Sequence, residues 1–163
     1  MLGLTFRLGE LTDWWDNSTV AAFKEKADCF VREYSNFTIP DRDGKPLHLN
    51  GRLTLGENIA DAGGVAAAFA SWKRRELENS DELLPGFQDF SKEQLFFLSY
   101  GNTWCGKSRI QRDIDGVYND PHSPPKYRIM VSLTRSLFLE RICIGRGGCR
   151  RMSMEKVCFA LWR

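Results

Sequence analysis

Apolar residues recur at helical spacing through residues 17 to 35, NSTVAAFKEKADCFVREYS, at Val20, Phe23, Ala27, Phe30, Val31 and Tyr34. Residues three and four apart share one helix face, so this stretch predicts an amphipathic helix with Asn17 or Ser18 as its N-cap. Residues 36 to 51, NFTIPDRDGKPLHLNG, break the period with proline and glycine. They predict a loop with a short hairpin around Asp43-Gly44. The longest helical pattern covers residues 52 to 79, where VAAAFASWKRRELE supplies strong helix formers. Its Gly63-Gly64 pair costs about 1 kcal/mol per glycine relative to alanine, so it requires a break or a close neighbour. A polar turn over 80 to 90 leads to Ser91, which opens an aromatic-rich helical stretch over 91 to 106, SKEQLFFLSYGNTWCG. Residues 107 to 128, KSRIQRDIDGVYNDPHSPPKYR, read as a polar, proline-containing connection. The chain is expected to be mainly α, with about four helices and little sheet.

At 163 residues and 42% hydrophobic content, this is ordinary globular composition for one domain with a core. A net charge of +2 points to neither nucleic acid, membrane surface nor acidic substrate. No apolar run reaches the roughly 18 residues needed to span a bilayer. The first residues, MLGLTFRLGELTDWW, lack the charged start and long apolar run of a signal peptide. Trp14 and Trp15 arrive before any obvious folding unit, as in a chain that opens mid-domain. The tail is basic, with arginines at 135, 141, 146, 150, 151 and 163, but lacks regularly interleaved aromatics. Nucleic-acid binding therefore ranks lowest among the readings. The five cysteines, Cys29, Cys105, Cys143, Cys149 and Cys158, leave at least one without an intrachain partner. With the sequons at Asn17 and Asn36 they favour an extracellular setting.

Only two histidines are present, His48 and His122, and neither H-E-x-x-H nor C-x-x-C occurs. No complete zinc site is legible. Residues 101 to 108, GNTWCGKS, match the phosphate-loop pattern in letters. That loop needs a buried strand before it and a helix after it, and an aromatic helix and a polar loop are expected instead. More telling is GENIADAGGV, residues 56 to 65, where Glu57 and Asp61 stand four apart. Like charges at that spacing share a face and repel by about 0.2–0.5 kcal/mol. A solvated face is the plain explanation. The small and apolar neighbours Ile59, Ala60, Gly63 and Gly64 instead suggest a packed face, where unpaired charge is costly. Further on, Pro121, Pro124 and Pro125 stiffen the loop around His122, and Arg128 follows with a planar guanidinium suited to a carbonyl or carboxylate. A rigid surface turn would look the same.

Five stretches together resemble the C-terminal catalytic region of the neprilysin and endothelin-converting-enzyme family of zinc metallopeptidases. They are LTDWW at 11–15, FKEKADCFVREYSNFT at 23–38, LTLGENIADAGGV at 53–65, FFLSYGNTWCGK at 96–107 and DPHSPPKYR at 120–128. The resemblance implies the C-terminal part of a thermolysin-like zincin catalytic domain over residues 1–163, with 130–163 as a divergent tail. It implies that Glu57 is the third zinc ligand and that Asp61 orients a zinc-bound histidine. It implies that His122 stabilises the oxyanion and that Arg128 holds a backbone carbonyl of the peptide. Trp104 would lie near the pocket for the hydrophobic side chain after the scissile bond. It also implies a Cys29–Cys158 disulfide, and cysteines at 105 and 143 whose partners lie in the family's N-terminal region. Cys149 has no counterpart.

The family's H-E-x-x-H precedes the DWW segment and falls before Met1 here. The resemblance thus implies a zinc endopeptidase of short extracellular peptides, secreted or as a membrane-anchored ectodomain. Its partners would be peptide substrates and the N-terminal remainder of the same protein, and residues 1–163 alone would be inactive. A catalytically dead helical module that grips a peptide or partner through Arg128 and Trp104 is the competing reading.

Overall fold

The computed structural model describes residues 4–7, 10–78 and 83–135, with side chains placed over 14–78 and 83–132. The chain begins with an antiparallel hairpin, β1 (Leu4–Arg7) and β2 (Glu10–Asp13). Helix α1 (Asn17–Ser35) follows with the bounds its period predicts. Its N-cap is Asp16 rather than Asn17 or Ser18. The Asp16 carboxylate accepts from the Thr19 backbone N–H at 2.8 Å and from the Ser18 hydroxyl at 2.6 Å, satisfying donors that a helix start leaves open.

The expected hairpin is present as β3 (Thr38–Pro40) and β4 (Pro46–His48). Gly44 sits in its turn at φ 79°, a conformation that suits glycine. Helix α2 (Leu55–Glu78) runs unbroken through Gly63-Gly64. A Cβ at either glycine would meet nothing within 4 Å, so the pair marks neither a break nor, among the described residues, a close neighbour. Helix α3 (Lys92–Thr103) opens at Ser91 in a full capping box with Gln94.

Two further helices occupy the stretch that reads as a connection. These are α4 (Ile110–Asn119) and α5 (Pro125–Arg135). Proline is at home at the first helical position, where its missing N–H would have no partner. Five helices are therefore described, not four, and the chain is mainly α as expected.

The main core joins α1 through Ala27, Phe30 and Tyr34 to Leu55 of α2, Val117 of α4, and Tyr127 and Val131 of α5. Phe37 stacks on Tyr127 with ring centroids 4.5 Å apart, and the Tyr127 hydroxyl donates to the Thr38 carbonyl. A second cluster packs Val65 and Phe69 of α2 on Phe97 of α3. Helix α2 belongs to both, so it is the beam from which the neighbouring elements take their places. No described helix is long and apolar enough to cross a membrane.

Candidate functional site

The site forms where the loop entering α5 meets the first two turns of α2. Glu57 lies in the first turn of α2, where the helix dipole favours a carboxylate. The His122 Nε2 stands 3.4 Å from its Oε2, an ionic approach without a hydrogen bond, and both side chains are nearly half exposed. Asp120 secures His122 from the other side. Its Oδ1 accepts from the His122 backbone N–H at 2.9 Å and lies 2.8 Å from Nδ1. These contacts hold the Asp120 carboxyl below its usual range, the backbone hydrogen bond contributing most. They hold the ring so that Nε2 faces Glu57.

One turn further along α2, the Arg128 Nε donates to Asp61 Oδ2 at 2.6 Å and Nη2 to Oδ1 at 2.7 Å. Both side chains are only 10% exposed, so this is a buried, two-pronged pair of the kind a guanidinium fork makes best. The hydrogen bond to Asp61 stabilises the charged guanidinium still further. The Trp104 ring stacks on the guanidinium face, 3.7 Å from centroid to Cζ. Two of the five N–H groups of Arg128 are taken by Asp61, which leaves three for a carbonyl.

Glu57 and Asp61 therefore do not share one positive partner in this chain: His122 approaches one and Arg128 clasps the other. Beside Asp61 an open cleft of about 240 Å³ runs between α2 and α3, lined by Ala60, Gly64, Val65, Ala68, Phe96 and Tyr100. The Tyr100 hydroxyl donates to Ser132 at 3.2 Å, and burial pushes its pKa up. Burial and the Asp61 charge likewise keep the fully buried Tyr34 phenol protonated.

The sequence model of peptidase family M13 matches residues 5–137. The chain belongs to peptidase family M13. Neprilysin-21 of Caenorhabditis elegans is 47% identical over 129 residues, which cover 77% of this chain and 16% of that protein. Human neprilysin is 41% identical over 155 residues, 92% of this chain and 20% of that protein. The chain thus spans about a sixth to a fifth of the curated relatives it matches. Among solved structures, the open state of Mycobacterium tuberculosis zinc metalloprotease ZMP1 superposes with a TM-score of 0.72 at 26% identity, covering 85% of this chain and 22% of that one. A Haemonchus galactose-containing glycoprotein complex gives 0.70 at 31% identity, covering 83% and 22%. The fold is accordingly part of a zincin-like M13 domain.

An M13 enzyme is a metallopeptidase, and its relatives imply zinc in the whole protein. A catalytic zinc takes three protein ligands. Among the described residues no group of three His, Cys, Asp or Glu is placed to hold a metal. The donors of the described residues therefore do not complete a zinc site.

The geometry brings together Glu57, Asp61, His122, Arg128 and Trp104. Cys29 is buried on α1, while Cys158, Cys143 and Cys149 lie outside the described residues, as does the tail beyond residue 135. Cys105 is free and exposed, and the sequon residues Asn17 and Asn36 are exposed. The letters of the phosphate-loop match fall on α3 and the segment before α4, with no strand ahead of them.

Sequence reasoning missed Asp120, Asn58 and Ser123. Asn58 is 1% exposed and Ser123 2%, and the Ser123 hydroxyl donates to Asn58 Oδ1 at 2.8 Å. One signal was available for Asn58. It falls in register with Leu55, Val65 and Phe69 on the buried face of α2, where a lone amide needs a partner.

Proposed function

We propose that this chain forms the C-terminal part of the catalytic region of a zinc metalloendopeptidase that cleaves short extracellular peptides. The observation that carries the reading is the convergence of Glu57, His122, Asp61 and Arg128 on two successive turns of α2. In this reading Glu57 supplies one zinc ligand, and the remaining M13 polypeptide supplies the two histidines and the general base. The metal, once bound, polarises the scissile carbonyl and activates water. Asp61 spends its inner lone pairs on Arg128 and offers an outer one to orient a zinc-bound histidine. His122, with Nδ1 anchored by Asp120, donates an Nε2 N–H to the oxyanion in its doubly protonated form. Arg128 turns its free N–H groups to a peptide carbonyl, and Trp104 borders the site of the adjoining hydrophobic side chain. Cys29 pairs with Cys158, Asn17 and Asn36 carry glycans, and the protein works outside the cell or on its surface.

Residues 1–163 alone do not turn over peptide, because one carboxylate cannot hold zinc tightly and no water-activating Glu accompanies it. The test is a fluorogenic peptide assay of the isolated chain with added zinc. No turnover is expected. Zinc-dependent turnover abolished by Glu57→Ala would refute the inactivity.

A further inference from the structure

We propose that Asn58 and Ser123 form a buried latch that sets His122 against Glu57, making both of them positioning residues for the site. The inference rests on the reading of Glu57 and His122 given above. Each member of the latch is the immediate chain neighbour of one of the groups it sets. Asn58 follows Glu57 on α2, and Ser123 follows His122 in the loop.

Three buried polar side chains satisfy one another in series. The Thr54 hydroxyl donates to the Asn50 carbonyl at 3.2 Å, Asn58 Nδ2 donates to Thr54 Oγ1 at 2.9 Å, and Ser123 Oγ donates to Asn58 Oδ1 at 2.8 Å. Only one orientation of the amide meets both neighbours, since its N–H faces Thr54 and its carbonyl faces Ser123. A buried amide or hydroxyl left without a partner is costly, so the loop cannot slide along α2 without breaking the series.

Among the described residues, the His122 ring is otherwise held within its own loop, by Asp120. Its ring is 44% exposed, so packing does not fix it. Proline at 121, 124 and 125 stiffens the loop, but stiffness sets shape and not register on α2. The latch supplies the register, and the Asp61–Arg128 pair anchors the other end of the segment a turn away.

The chain's two histidines make the test internal. His48, whose Nδ1 lies 2.9 Å from the Ser35 carbonyl, reports on the α1 side of the fold. In the isotope-labelled full chain, nuclear Overhauser contacts between the His122 ring and the Glu57 side chain are measured, with melting followed in parallel. Ser123→Ala is expected to lose those contacts and to shift the His122 ring signals while leaving His48 in place. Ser123→Thr, which keeps the hydroxyl, is expected to restore them. If the alanine variant does not fold, Ser123→Cys replaces it, a near-isostere with a weaker donor, and weakened contacts are expected.

An alanine or cysteine variant that keeps the His122–Glu57 contacts at full strength, whatever its melting temperature, overturns the latch. So does a folded threonine variant that fails to regain them. Catalysis is read apart, by His122→Ala in a complete M13 peptidase carrying this segment. Unchanged turnover there refutes the catalytic role of His122 and leaves the latch standing.

Discussion

Replacing Asp61 with alanine strands Arg128 as a buried charge, and the structure sets the scale of the damage. Two charge-assisted hydrogen bonds of 2.6 and 2.7 Å are lost. Each is worth about 1.5–3 kcal/mol, and removing one partner of a buried pair costs about 3–5 kcal/mol. The guanidinium keeps its stack on Trp104, 3.7 Å away, worth roughly 0.5–2 kcal/mol. The expected net loss therefore lies near the low end, about 3 kcal/mol. For a slope of about 1–3 kcal/mol per molar urea, that moves the unfolding midpoint down by roughly 1–3 M. The assay is urea unfolding followed by circular dichroism, which the helical content makes sensitive. Pairing Asp61→Leu with Arg128→Met should recover most of the loss, because apolar residues of similar size replace a buried pair at little cost. A single-variant loss under about 1 kcal/mol, or a double variant that merely adds the two single losses, would refute the reasoning that the pair is buried and coupled.

Gly51→Ala should destabilise by about 1–3 kcal/mol, because the new Cβ would sit 2.3 Å from the Val31 carbonyl and 2.7 Å from Ser35 Oγ. Gly64→Ala should stabilise this chain by about 1 kcal/mol, since nothing lies within 4 Å of its Cβ position and glycine is a poor helix former. Thermal melts of both variants decide, and the same sign for both would contradict the geometry. The hydroxyl of Ser18, then the Thr19 backbone N–H, lower the Asp16 pKa from 3.8 to about 2. A folded pKa below the unfolded one gives stability that is present above about 4 and lost as pH falls toward 2. Asp16→Asn keeps the cap without the charge, so its melting temperature should fall less than wild type across that window.

Much of the fold follows from local pattern. Helix α1 begins and ends where its apolar period does, at Asn17 and Ser35. Its cap lies one or two residues before the expected Asn17 or Ser18, because Asp16, Asn17 and Ser18 are all good caps and only three-dimensional geometry picks the oxygen that reaches Thr19. Helix α4 was hidden for a different reason. Val117 is its one buried residue, set in a run of charged residues, and the proline cluster that suggests a loop begins only after Asn119. Pro125, expected to stiffen the loop around His122, in fact starts α5. Glu57, Asp61, His122 and Arg128 were legible as a set through family resemblance. Their pairing was not, because which cation meets which carboxylate depends on how the loop before α5 lies on α2. The Asn58–Ser123 contact joins residues 65 apart, a distance over which no local period reports.

In the proposed function, Glu57 is the part of a peptidase zinc site that this segment contributes. The direct measurement is to graft residues 5–137 onto the corresponding segment of Caenorhabditis elegans neprilysin-21, 47% identical, and to follow zinc content and cleavage of a fluorogenic peptide. A folded chimera with bound zinc and zinc-dependent cleavage is expected, both lost in Glu57→Ala. Zinc binding and cleavage that survive Glu57→Ala would contradict it.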